Sequence, residues 1–197
     1  MSATTPGLSP YQQDLRERVL AAPRVDPPAP WHSVFQPYAA VGGLLGIGFG
    51  VDPRSGNDLV MVVSSTGHGL FDAVSGEKIA RDRDPEDDTP DGPDLSCPGL
   101  GPLTGQRVHI AGLYGGGLHT TAHGGWCVDA VAPAWPHHRV LLSGEGGAPW
   151  RGLHGETWWH VFDATWSELR AAGFSPSGRT LAVATSSDLT LWTRAGE

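Results

Sequence analysis

The nine histidines of this 197-residue chain are the side chains whose ordinary titration lies nearest neutral pH. His119 and His123 stand in GLHTTAHGGW, and His154 and His160 stand in GLHGETWWH with Glu156 between them. Neutral imidazole suits zinc or a similar ion, so these four side chains and a carboxylate are the candidate metal set. A His-x-x-x-His pair shares a face on a helix, however, and glycines flank this one. No His-Glu-x-x-His is present. The expectation is therefore loop histidines, with no metal and no cofactor.

Residues 81–105 gather Asp82, Asp84, Glu86, Asp87, Asp88, Asp91 and Asp94. Calcium favours such a density of carboxylates, but a calcium loop needs glycine at its sixth position, where Asp87 stands, and Pro85 and Pro90 interrupt it. A solvated charge run is expected, with Asp84, Glu86, Asp87, Asp88 and Asp91 able to meet a basic partner. Ser143 and Ser175 lie in turn sequences, not in a serine elbow. Cys127 has His119 and Asp129 near it in sequence, yet a half-buried structural thiol is the simpler reading. The glycine-rich runs GGLLGIGFG and GLYGGGL lack a phosphate-binding lysine and read as strands that allow close approach.

Trp126, Trp135, Trp150, Trp158, Trp159 and Trp166 crowd one third of the chain. On a strand, Trp158 and Trp159 must point to opposite faces. One of them is expected at the surface with Trp150, as an anchor for a protein or a sugar ring. Lys and Arg number 13 against 21 Asp and Glu, a formal charge of −8, which disfavours nucleic acid and anionic membrane as partners. Two cysteines, Cys97 and Cys127, are too few for a disulfide scaffold. With no basic start and apolar run of a signal peptide, the expected compartment is the cytoplasm.

The elements that must position these groups are mostly strands. Residues 9–22 read as a helix, with Ser9 to cap it, Pro10 at its first turn and Tyr11, Leu15 and Val19 on one face. PRVDPPAP then makes a stiff connector, so residues 1–30 form an appendage to one β domain over 31–197, with 81–105 as an acidic loop insertion. Residues 48–72, GFGVDPRSGNDLVMVVSSTGHGLFD, match residues 173–193, GFSPSGRTLAVATSSDLTLWT, at Gly48-Phe49 with Gly173-Phe174, Pro53 with Pro176 and Gly56 with Gly178. Leu59 matches Leu181, Ser64-Ser65 matches Ser186-Ser187, and Leu70-Phe71 meets Leu191-Trp192. Units are expected near residues 41–82, 107–143 and 158–194, with WHSVFQPY pairing beside the last strands.

The closing segment resembles the latter half of a WD-type β-propeller repeat: a strand ending Phe-Ser-Pro, a Ser-Gly turn, an apolar strand, a Ser-rich turn and a strand ending in Trp. The resemblance covers residues 173–193 and, by analogy, 48–72. Trp192 is followed by Thr193 where the family has Asp, and neither copy carries the upstream Gly-His pair. The resemblance implies an all-β, β-propeller-like fold of antiparallel sheets, about three to four blades, open or incomplete, with one N-terminal helix. It also implies binding before catalysis.

The expected function is a non-enzymatic protein-binding module, such as an acidic inhibitor or immunity protein that neutralises a basic toxin; a homodimer stays open. The alternatives are a carbohydrate-binding or glycoside-acting protein using surface tryptophans and carboxylates, and a His-ligated metal-dependent hydrolase. Carboxylate spacing in sequence leaves the glycosidase geometry undecided.

Overall fold

The computed structural model describes residues 7–85, 89–90 and 93–194. After helix α1 (Pro10–Ala21) come two short strands, β1 (His32–Ser33) and β2 (Ala39–Ala40). A meander follows: β3 (Leu44–Val51), β4 (Asp58–Ser64), β5 (Gly67–Asp72) and β6 (Lys78–Asp82). A small antiparallel pair, β7 (Ser96–Pro98) and β8 (Arg107–His109), brackets a 3-10 turn at Gly101–Leu103. Strand β9 (Ala111–Gly112) then adds to β3, completing a first sheet of order β6-β5-β4-β3-β9.

The second sheet is β10 (Thr121–Ala122), β11 (Trp126–Ala134), β12 (His137–Ser143) and β13 (Trp158–Ala164) in chain order. The third is β14 (Leu169–Phe174), β15 (Thr180–Thr185) and β16 (Asp188–Thr193). As expected of WHSVFQPY, β1 pairs on β16, His32 opposite Thr193 and Ser33 opposite Trp192. Strand β2 joins the same edge, Ala39 opposite Leu189. The chain is therefore mostly β, with one helix and several antiparallel sheets, none closed on itself.

The third sheet lies between the other two, and the alternation along β15 shows why. Ala182 and Ala184 face the first sheet's Leu44, Ile47, Val60 and Val62. Leu181 and Val183 face the second sheet's Val128, Val140, Leu142 and Val161. A strand covered on both faces reads as a continuous apolar run, which is how TLAVAT and DLVMVVS appear.

The two matched segments are the same three-strand device, β3-β4-β5 and β14-β15-β16. Gly56 and Gly178 both turn at positive φ, 72° and 70°. The middle unit is shifted from its expected place, because residues 107–112 serve the first sheet's surroundings while the second sheet spans 121–164.

Each outward face of the stack needs a cover. On the second sheet, Val19, Ala22 and Leu15 of the N-terminal segment lie over Leu141, Trp158 and Val131. On the first, Leu59, Met61, Val63 and Leu70 are covered by Cys97, Leu103, Val108 and Ile110. Here the expectation of an exposed loop over 81–105 is corrected at residues 96–103. Ser96, Cys97 and Leu103 are fully buried, since the apolar face of β4 and β5 has no other shield from water.

Candidate functional site

Helix α1 is held at both ends, and the space beneath it is left partly empty. At its start Ser9 and Gln12 form a reciprocal cap: the Gln12 amide donates to Ser9 Oγ at 3.3 Å, and the Ser9 amide donates to Gln12 Oε1 at 2.8 Å. At its end the Arg139 guanidinium donates through Nη1 to the carbonyls of Val19, Leu20 and Ala22, at 2.6, 3.1 and 3.3 Å. A cation there satisfies orphan carbonyls and complements the helix dipole. Arg16 Nε donates to Pro133 O at 2.5 Å and Arg18 Nη2 to Gly152 O at 2.7 Å, lacing the helix across the second sheet.

Pro133 has no amide to give the β-ladder, and the register of β11 on β12 shifts between Val131 and Ala134. A groove of about 670 Å³ runs beside this irregular stretch. Leu8 and Leu15 line its helix side, Val131 and Pro133 its floor, and Trp135 and Trp150 its lips. Trp135 is 80% exposed and Trp150 54%. Asp129, on the ladder opposite Leu141, has its carboxyl held above the usual range by burial.

A different cluster joins the first and third sheets. Asp58 is 2% exposed, and its Oδ2 accepts from Ser175 Oγ at 2.8 Å, Ser177 Oγ at 2.7 Å and Thr180 Oγ1 at 2.8 Å. The Thr180 amide donates in turn to Ser175 Oγ at 3.1 Å. Oδ1 of Asp58 has no hydrogen-bond partner. The Ser175 hydroxyl is thus engaged on a carboxylate with no imidazole between them, an arrangement that fixes the β14–β15 turn to β4.

The four candidate histidines divide into two pairs. His119 and His123 are exposed and line a shallow cleft with Ser175 and Pro176. The His160 amide donates to His154 Nε2 at 3.4 Å, and the His154 ring stands edge-on to Trp158 at 4.8 Å. His160 itself is 2% exposed, with Nδ1 3.0 Å from Ala22 O and Nε2 3.1 Å from Phe162 O. It ties the end of α1 to β13. Burial holds the pKa of both His154 and His160 below the ordinary imidazole value. Among the described residues no group of three or more His, Cys, Asp and Glu converges as a metal site.

Alternation puts Trp158 and Trp159 on opposite faces as expected, but neither is a free anchor. Trp158 is 1% exposed beneath α1, and Trp159 is half-buried in the core shared with the third sheet, its ring 6.1 Å from Trp126. The sheet has a cover over each of these two rings, α1 on one side and the third sheet on the other. Trp150 is exposed and sits on the groove. Asp84 is exposed, its amide donating to Asp82 Oδ1 at 3.0 Å; Glu86, Asp87, Asp88 and Asp91 lie outside the described residues. Cys97 is buried and Cys127 is half-buried.

Sequence reasoning passed over Trp135 and the apolar floor under α1. The one sequence signal for them was the apolar side of the helix at Leu15 and Val19. Asp58 gave none, because it reads as an ordinary strand-opening residue.

No described helix is long and apolar enough to cross a membrane. The chain matches no protein-family model, no curated protein and no solved structure.

Proposed function

We propose that this protein is a binding module that seats an apolar segment of a protein partner in the groove between α1 and the second sheet. The observation that carries the reading is a concave apolar floor with two indole rings, Trp135 and Trp150, standing exposed at its rim. Tryptophan beside a dry pocket is the residue type on which binding energy concentrates. The partner is basic in this reading, because the chain as a whole carries −8. Neutralising a basic toxin domain fits that charge and size.

The same reading takes the three sheets as blades of an open, propeller-like fan. In its support, the matched turns at Gly56 and Gly178 share a conformation, and β1 joins the edge of the last sheet. Helix α1 and the β7–β8 pair stand where further blades would otherwise be needed.

The test is calorimetric titration against a basic protein encoded beside this one. Trp135→Ser and Trp150→Ser are each expected to weaken binding roughly 10- to 100-fold. Trp166→Ser, at a site 96% exposed but outside the groove, should leave it unchanged. Equal affinity for the native protein and both groove variants would remove the groove from the function, and no binding at all would remove the basic-partner reading.

A further inference from the structure

The first sheet carries a second recess, small and differently lined. It lies at the outer edge of the face that meets the third sheet, between the β4–β5 turn and the segment joining β2 to β3. Its volume is about 110 Å³. Pockets that take drug-sized ligands span roughly 300–1,000 Å³, so this one holds a small ion or a single group of something larger.

The walls present two cations. Lys78 pairs across the β-ladder with Phe71, and Arg81 pairs with Gly69. Phe71 and Gly69 share a face of β5, so both cationic side chains rise on the side where the Phe71 ring enters the core. The Lys78 ammonium lies 5.2 Å from the Phe71 ring centroid, which gives the chain's single lysine a fixed wall to stand against. Between them Gly69 has no side chain, and that vacancy is the recess. The hydroxyls of Ser64 and Thr66 complete the rim, with 3.3 Å between their oxygens. Ser64 Oγ already donates to Gly67 O at 2.8 Å.

Among the described residues no carboxylate lines this recess, and neither Lys78 nor Arg81 has an ion-pair partner. Two positive charges left together in a concave site focus the local potential toward an anion. Arg offers a planar fork and Lys a mobile point charge, and a hydroxyl adds a third direction. A ligand that meets three such groups at once needs acceptor oxygens on several sides, as a tetrahedral oxyanion has and a flat carboxylate lacks.

We infer that the recess bounded by Lys78, Arg81, Gly69 and Thr66 is a binding site for phosphate or the phosphoryl group of a small phosphomonoester. The site is on the first sheet and is independent of the groove beside α1.

Inorganic phosphate is the probe, titrated into the whole protein at low ionic strength with backbone amide shifts as the readout. Saturable shifts are expected in residues 64–81, with a Kd at or below about 5 mM. Lys78→Gln and Arg81→Gln should each weaken binding by about tenfold, the loss typical of one hydrogen bond to a charged group. Gly69→Val is the decisive variant. A Cβ placed at Gly69 meets only the edge of the Phe71 ring, at 3.6 Å, and valine suits a strand, so the fold is kept while the recess is filled. Its thermal unfolding should match the native protein, and phosphate shifts should vanish.

Methyl phosphate distinguishes the sources. Binding at least as tight as inorganic phosphate assigns the site to a phosphomonoester, and binding only of the free ion assigns it to phosphate itself. Absence of saturation at about 20 mM phosphate, or native-like binding in a folded Gly69→Val protein, overturns the assignment.

Discussion

Replacing Asp58 tests whether the two matched units are fastened to one another by a single carboxylate. Three hydroxyls, of Ser175, Ser177 and Thr180, converge on its Oδ2 at 2.7–2.8 Å from the neighbouring sheet, in a setting that is 2% exposed. Taken singly, hydrogen bonds to a charged group contribute roughly 1.5–3 kcal/mol each. Sharing one oxygen makes them non-additive, and the unpartnered Oδ1 carries a desolvation cost that offsets part of the gain. Asp58→Ala leaves the buried hydroxyls of Ser175 and Thr180 and the half-buried one of Ser177 without that acceptor, and a net loss of about 3–5 kcal/mol is expected.

For a chain of this length that is a fall in Tm of roughly 6–20 °C. Asp58→Asn keeps an acceptor oxygen at the same place and should lose only about 1–2 kcal/mol. Urea unfolding followed by tryptophan fluorescence and circular dichroism gives both numbers. A cycle with Thr180→Val should show coupling of at least about 1 kcal/mol. If Asp58→Ala stays within about 1 kcal/mol of native, or if the pair is additive, the carboxylate is not what joins the sheets.

Two further outcomes follow from the way α1 is held. Arg139→Met keeps the aliphatic stem but removes the donors to three helix carbonyls and the 3.5 Å ion pair with Asp163; amide-exchange protection in α1 should drop by about 10- to 100-fold, with little change in β15. Unaltered exchange in residues 11–21 would show that packing alone holds the helix. Burial, and the Arg139 charge after it, lowers the pKa of His160 in the fold, against the opposing pull of the Ala22 and Phe162 carbonyls and Asp163; burial lowers that of His154 too. The unfolded chain therefore takes up these protons first, so the stabilisation is full above pH 6.5 and is lost as pH falls below it toward the folded-state values. The urea midpoint should decline from pH 7 to 5.5, less steeply in His160→Gln, and a rising midpoint would mean that the two carbonyls flanking the ring favour imidazolium.

Much of the framework is written locally. Ser9, Pro10 and Gln12 specify where α1 begins, because the cap satisfies amides within one turn of the residues that form it. Gly56 and Gly178 specify their turns for the same reason: positive φ is a property of a single residue's backbone. The candidate site was less legible. Trp158 has an anchor's residue type but lies under α1, and Ser96–Leu103 reads as loop because two prolines and two glycines punctuate its eight residues.

The sequence alone carried the helix and its cap, the turns at Gly56 and Gly178, and the recurrence of one three-strand unit, since each depends on residues a few positions apart. The tertiary arrangement alone sets which faces are shielded, that Asp58 meets hydroxyls more than a hundred residues away, that Trp135 and Trp150 flank one groove, and that Lys78 and Arg81 border one recess. Those features are gaps and contacts between surfaces brought together by burial of apolar area. Burial is non-directional, so the pattern of a segment says that it will be covered and not by what.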